Sequence, residues 1–249
     1  MKKSIKIYGE RNTNTNYLSK LIDINLDVVE IPGVVPPFVM KMQDILPTKE
    51  LLRDIYFRLT FNRNLGWKHM RARPPEELNR YSSTHTGLKF ITITKNPYSW
   101  LLSLHRRPYH QYYHKPLSFE EFLQHPWKPV SRENITGQLP NPVELWNIKN
   151  QSYLQFDSNN VINLTTEEII DNPEAVIQKI SEHFAIEKKQ SSFVNYDQST
   201  KDKNKDSAYY RDYYLSEKWR EKLSGEAVAI INQSINKELM HHFGYSALT

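Results

Sequence analysis

The sequence predicts an α/β protein: a single domain with a central parallel β-sheet, helices on both faces, and a strand–loop–helix anion site near its start. Three observations carry this. Strand-like segments alternate with helix-like ones along the chain, the pattern of a parallel sheet with crossover helices. The stretch KSIKIYGERNTNTNYLSKLI, residues 3–22, passes from a period of two, through small polar residues, into a helical period. No internal repeat and no break in composition marks a linker, so residues 1–249 read as one domain.

In order, Ser4–Tyr8 alternates as a strand with Ile5 and Ile7 on one face, and Tyr17, Leu18, Leu21 and Ile22 place a helix from Thr15 to about Ile22. Leu26–Ile31 reads as a second strand, closed by Pro32-Gly33. The stretch IPGVVPPFVMK, with three prolines, reads as loop or extended chain. Thr48–Thr60 carries Leu51, Leu52, Ile55, Tyr56 and Leu59 on one side of a helix. Leu65–His69 is predicted as a short strand. Lys89–Lys95 alternates more clearly than any other segment. Asn96-Pro97 then supplies a helix cap and a first-turn proline for a helix through Trp100, Leu101 and Leu104. Val161–Leu164 is a strand, Pro173–Phe184 an amphipathic helix, and 199–207 a lysine-rich loop. A last helix runs from about Gly225 to His242, closed by Gly244 in the helix-stop position.

Composition narrows the chemistry. Thirty-three basic against 28 acidic residues give a net charge of +5, which suits an anionic ligand. The absence of cysteine excludes disulfides, thiolate nucleophiles and thiolate-bound zinc. No apolar run approaches the ~18 residues of a membrane span, and MKKSIKIYGE lacks a signal-peptide core, so a cytoplasmic protein is expected. His110 and His114 have the i, i+4 spacing of a metal pair, but Pro108 and Pro116 hem them in and no glutamate lies between them. No metal site is expected. Tyr109, Tyr112 and Tyr113 in the same run suit a rim that stacks on an acceptor ring, or simply an exposed tyrosine-rich loop.

A polar turn between a strand and a helix leaves free backbone N–H groups aimed at one point, a place for an anion. Gly9-x4-Asn14-Thr15-Asn16 lies in register with the nucleotide-binding pattern G-x4-G-K-[ST] and departs from it three times. Asn14 replaces the second glycine, Thr15 the lysine for the β- and γ-phosphates, and Asn16 the hydroxyl residue that holds magnesium. Such a loop is poorly equipped for a triphosphate. It can still cradle a less charged group through N–H groups, the Thr13 and Thr15 hydroxyls, and Arg11; a polar turn without a ligand is the alternative.

A second stretch, TKNPYSWLLSLHRRPYH at 94–110, puts Lys95 at the end of a strand, before an Asn-Pro helix start, with Ser103 eight residues on. Together the two stretches resemble the sulfotransferases that use 3′-phosphoadenosine 5′-phosphosulfate (PAPS). Their first loop reads roughly P-K-S-G-T-T-W-L and is matched by Thr13-Asn14-Thr15-Asn16-Tyr17-Leu18. Their second motif, roughly R-N-P-x-D-x-x-x-S, is matched by Lys95-Asn96-Pro97 and Ser103. The segment VINLTTEEIIDNPEAVIQKI is a looser third match, and the first loop is most similar to bacterial members with GERN-x-x-TNYL. The resemblance implies a P-loop-like fold in which Arg11, Asn12, Thr13, Asn14, Thr15 and Asn16 hold the 5′-phosphosulfate and Lys95 and Ser103 the 3′-phosphate. Two departures stand out. The family lysine falls on Asn12, which passes its work to Arg11, and Lys95 keeps only a point charge where the family has arginine.

The resemblance further implies a general base. LGWKH is similar to a family strand ending in Lys-x-His, which singles out His69 with Lys68; Glu10 is the alternative base. Because Lys68 and His69 are adjacent, both face the site only if the strand has ended by Lys68. STKDKNKDSAYYR stands where the family has a basic, glycine-containing loop, which points to Arg211 for the 3′-phosphate; Lys201, Lys203 and Lys205 read as a solvated charge run. The implied function is sulfuryl transfer from PAPS to a hydroxyl or amine of a small-molecule or carbohydrate acceptor, leaving adenosine 3′,5′-bisphosphate, with no metal required. Two other classes compete. One is a magnesium-dependent nucleotide kinase or NTPase with a degenerate loop. The other is a basic nucleic-acid-binding protein, whose affinity would fall steeply with salt but which leaves both helix-start motifs unexplained, so no nucleic-acid partner is expected.

Overall fold

The computed structural model describes residues 2–45, 49–197 and 206–249. Period-two alternation builds its centre. Ile5 and Ile7 of β1 (Ser4–Gly9), Ile91 and Ile93 of β3 (Lys89–Thr94), and Ile162 and Leu164 of β4 (Val161–Thr165) share one buried cluster. Helices α1 (Thr15–Asn25) and α10 (Pro173–Phe184) cover it with Leu18, Leu21, Ile22, Val176, Ile177 and Ile180. Tyr8, Phe90 and Val161 belong to a second cluster, covered by chain from 31 to 78 and by Tyr153 and Phe156.

The four strands, with β2 at Val29–Glu30, form one all-parallel sheet in the order β2-β1-β3-β4. Chain order then decides where a ligand can sit. From β1 the chain crosses to β2 on one side, and from β3 to β4 on the other. The loops leaving the carboxyl ends of β1 and β3 therefore diverge and open a crevice between them, the usual binding place in such sheets. Gly9 pairs with Ile93 across that point, so the two predicted anion loops begin side by side.

Several expectations are corrected. The second strand shrinks to Val29–Glu30, while Leu26 makes a separate antiparallel bridge to Lys188. The proline-rich stretch starts a helix: α2 spans Pro37–Ile45, with Pro37 at its first position, where no N–H partner is lost. Residues 65–69 form a turn, not a strand, because Leu65 (φ 53) and Gly66 (φ 85) take the left-handed conformation after the short α4 (Phe61–Asn64). In α3 (Lys49–Leu59) the buried residue is Phe57, while Leu51, Ile55 and Leu59 face outward.

Other helices escaped the periodicity reading: α5 (Pro75–Asn79), α7 (Phe119–Gln124), α8 (Pro142–Tyr153), α9 (Thr166–Asp171) and α11 (Ser207–Leu215). The predicted helix after Asn96 is α6 (Pro97–Arg106). The last helix divides at Ile235 into α12 (Gly225–Ser234) and α13 (Lys237–His242), because the Asn236 side chain accepts from the Leu239 N–H and starts a new helix. Of the lysine-rich loop, 199–205 lies outside the described residues.

Gly9 must be glycine. A Cβ there would stand 2.9 Å from Thr13 Oγ1, 2.9 Å from Thr15 Cγ2 and 3.0 Å from the Ile93 carbonyl oxygen. Gly9→Ala is expected to lower unfolding free energy by about 1–3 kcal/mol, read by urea titration, because strand and loop must both shift to admit the methyl.

Candidate functional site

The loop after β1 is shaped by two left-handed asparagines, Asn12 (φ 67) and Asn14 (φ 60), a conformation that asparagine tolerates better than most residues. Asn14 caps α1 through its backbone alone, without a side-chain acceptor, whereas Asn96, Ser118, Asn141, Thr165, Asn172, Asp206, Ser224 and Asn236 cap α6 to α13 with theirs. The first turn of α1 thus presents N–H groups that no capping side chain covers. It borders a cavity of about 840 Å³ lined by Arg11, Asn12, Asn14, Thr15, Asn16, Lys68, His69 and Ser103, with Trp67, Arg106, Arg107, Tyr109, Arg132, Tyr213 and Tyr214.

Thr13 turns away. Its hydroxyl donates to the Glu10 carbonyl at 2.6 Å and braces the loop. Arg11 is held from several sides. Its guanidinium lies between the rings of Trp67 (4.5 Å) and Tyr109 (4.7 Å), donates to Glu133 Oε1 at 3.0 Å, and touches His110 Nδ1 at 3.2 Å. It forms a wall of the cavity and is 4 % exposed.

Beneath it lies a buried ionic cluster. Lys149 of α8 donates to Glu10 Oε2, to Glu133 Oε1 (3.0 Å) and to the His69 carbonyl (2.7 Å). The other Glu10 oxygen accepts from the Arg11 N–H at 2.6 Å. Both Glu10 oxygens are therefore engaged by the protein itself, and the residue does not line the cavity. Burial alone would raise the Glu133 carboxyl, but Lys149, Arg11 and His110 outweigh it and hold it well below the usual range.

The cation that reaches the loop is Lys68. Its ammonium donates to the Asn16 side chain in the first turn of α1, although it comes from the 65–69 turn. Beside it, His69 Nδ1 meets the Gly9 carbonyl at 2.5 Å; since a carbonyl only accepts, Nδ1 carries the proton and Nε2 the lone pair. Burial, helped by the charges of Lys68 and Arg11, pushes the imidazole well below 6.5, so it stays neutral. The turn rather than a strand explains how adjacent Lys68 and His69 both line the cavity.

At the second loop, Lys95 Nζ donates to Ser103 Oγ at 3.2 Å; Ser103 lines the cavity, while Lys95 is buried and does not. Tyr214 of α11 lies over them, its ring centroid 3.9 Å from the ammonium. Burial favours the neutral phenol of Tyr214, yet Lys95 and Ser103 together draw its pKa below 10.0. Arg211, on the same helix, pairs instead with Asp171 at 2.6 Å and does not line the cavity. Tyr109 is on the rim. Tyr112 is 89 % exposed, and Tyr113 packs edge-on against His125.

Sequence reasoning missed Trp67, Arg132, Glu133, Lys149 and Tyr214. Arg132 also lies over the Trp67 ring, at 4.5 Å, and is anchored by Glu50 and Asp54, the latter at 2.8 Å. Only the tyrosine-rich helix 207–215 left a local trace, in its SAYYRDYYL composition.

No family model matches the chain, and no curated protein matches it. Among solved structures it is similar to the sulfotransferase domain from the curacin biosynthetic pathway, at 12% identity over 95% of this chain and 99% of that one, with a TM-score of 0.45. It is also similar to a sulfotransferase from Alicyclobacillus acidocaldarius, at 16% identity over 99% and 97%, TM-score 0.44. A third is retinol dehydratase in complex with androsterone and inactive cofactor PAP, at 13% over 99% and 82%, TM-score 0.41. Likeness at that level does not carry a function across.

The ionic cluster sets one expectation. Lys149→Met leaves Glu10 and Glu133 sharing a buried space with Arg11 as their one shared cation, and should cost about 3–5 kcal/mol in chemical unfolding. Adding Glu133→Gln should return part of that loss.

Proposed function

We propose that the crevice binds PAPS and that the protein transfers its sulfuryl group to a hydroxyl or amine of a small-molecule or carbohydrate acceptor. The observation that carries this is the pairing of two anion-holding loops at the ends of adjacent strands, each with its own lysine: Lys68 at Asn16 and Lys95 at Ser103. A nucleotide with anionic groups at both its 3′ and 5′ positions would engage two such loops at once. The residues present fit such a ligand: the first turn of α1 is not capped by a side chain, and it borders the cavity.

On this reading the α1 N-terminus with Thr15, Asn16 and Lys68 holds the 5′ end, and Lys95 and Ser103 hold the 3′-phosphate. The bound cofactor supplies an activated sulfuryl group. The protein's part is to position it and to neutralise the charge left behind, and Lys68 does the work that a loop lysine does in nucleotide-binding loops. Arg11 acts as a wall and brace, since its charge is shared with Glu133. His69, neutral and with Nε2 free to accept, takes the acceptor's proton; Glu10 is unsuited because both its oxygens are engaged.

Calorimetric titration tests the ligand. Adenosine 3′,5′-bisphosphate should bind the wild type, with Lys68→Ala and Lys95→Ala each weakening it about 10–100-fold. Failure to bind it, or preferential binding of ATP with magnesium, would overturn the reading.

The pH profile tests the base. A base with a depressed pKa is already deprotonated at neutral pH, so kcat/KM should stay level as pH falls through 6.5 and decline only well below it. His69→Asn should lower kcat by about 10²–10⁴-fold with little change in bisphosphate affinity.

A further inference from the structure

Among the described residues, α2 and α3 carry half of the large hydrophobic side chains left exposed. Leu51, Ile55 and Leu59 recur at i, i+4 and i+8 on α3, and are 55%, 44% and 75% exposed. On α2, which packs against it, Phe38 and Met42 recur at i, i+4 and are 62% and 47% exposed. A helix that turns its aliphatic stripe to solvent needs another apolar phase to cover it.

Charge on this face is arranged unevenly. The acids of α3 point inward: Glu50 and Asp54 are both drawn to the buried Arg132. Lys41 on α2, Arg58 on α3 and Arg63 on α4 stay exposed. Arg58 borders the Leu51–Ile55–Leu59 stripe, since it follows Leu51 by seven residues, about two helical turns, and so shares its side of the helix. Among the described side chains the outward face is therefore apolar with a basic border, and the negative charge of α3 is withdrawn into the protein.

We infer that this face docks on an anionic lipid surface. An exposed aliphatic stripe can enter the boundary between headgroups and acyl chains, while flanking ammonium and guanidinium groups stay at the level of the phosphates. The same segment reaches the cavity, since Val34, just before α2, and Glu50 and Arg53 of α3 line it. Docking would bring the cavity to the lipid surface, where an acceptor carried by a lipid is presented. The docking itself does not depend on the sulfuryl-transfer reading.

Co-sedimentation of the full chain with vesicles tests it. The wild type should sediment with vesicles of equal parts phosphatidylcholine and phosphatidylglycerol, remain in solution with phosphatidylcholine alone, and be released by salt. Leu51→Ser/Ile55→Ser/Leu59→Ser should lose about tenfold or more of that partitioning while keeping the wild-type melting temperature, as changes at exposed positions do. Should that variant melt early, Arg58→Glu/Arg63→Glu carries the test by the same criterion. The inference is overturned if the wild type ignores both vesicles or if the variant sediments as well as the wild type. It is also overturned if the wild type is a dimer in sedimentation equilibrium that the serine variant dissolves, which would assign the face to a second copy. Bisphosphate binding measured on the same variants should be unchanged, so failure here is separable from failure of the proposed chemistry.

Discussion

The ammonium of Lys149 is the point to which the base of the cavity is tied. It joins Glu10, His69 and Glu133, which lie 139, 80 and 16 residues from it in the chain. Taking such a charge out of water is costly, and an isolated pair would repay little of it. Here two carboxylates balance Lys149 and Arg11, and the spare oxygens are also used: Glu10 Oε1 by the Arg11 N–H and Glu133 Oε2 by the Val130 N–H. A satisfied network of this kind defines one arrangement and penalises its neighbours. It orients the loop after β1, the turn that presents His69, and the stacked layer of Arg11, Trp67 and Arg132.

Within that frame the cations divide their work. Arg11, which the motif places at the ligand, is consumed by the wall. Lys68, from a different segment, arrives at the first turn of α1, where the linear pattern of the loop lacks a lysine. A charge missing from a motif is thus present in the fold, and it is delivered by a turn whose shape depends on two left-handed residues rather than on any charge signature.

What could be read in advance follows from the range of each signal. Strands β1 and β3 announce themselves because alternation is local, and α6 because Asn96-Pro97 is a cap and a first-turn residue in one pair. Lys95 and Ser103 are singled out by resemblance to a motif, and their contact depends on how β3 leads into α6. By contrast, Pro36 and Pro37 suggest a break although Pro37 starts α2, and LGWKH suggests a strand because nothing in Leu65 signals the left-handed conformation it shares with Gly66. The periodicity of α3 was legible, but periodicity reports that a face is apolar, not what covers it. Lys149 sits in PVELWNIKNQSY, where a lone lysine has no local pattern, and its partners are too distant in sequence to appear together.

Lys6, in the middle of β1, extends the theme. It is fully buried, with its ammonium on the carbonyls of Pro32, Asn64 and Gly66, and burial depresses its pKa to about 7 despite the opposing pull of Glu30. Tyr8 then donates through its hydroxyl to Leu65, and Gly9 through its N–H to Lys68. Residue by residue, β1 copies its own register onto the turn that carries Lys68 and His69. The loop after β1 and the turn that carries Lys68 and His69 are therefore suspended from one strand, so a displacement of that strand carries both together and leaves the gap between them unchanged.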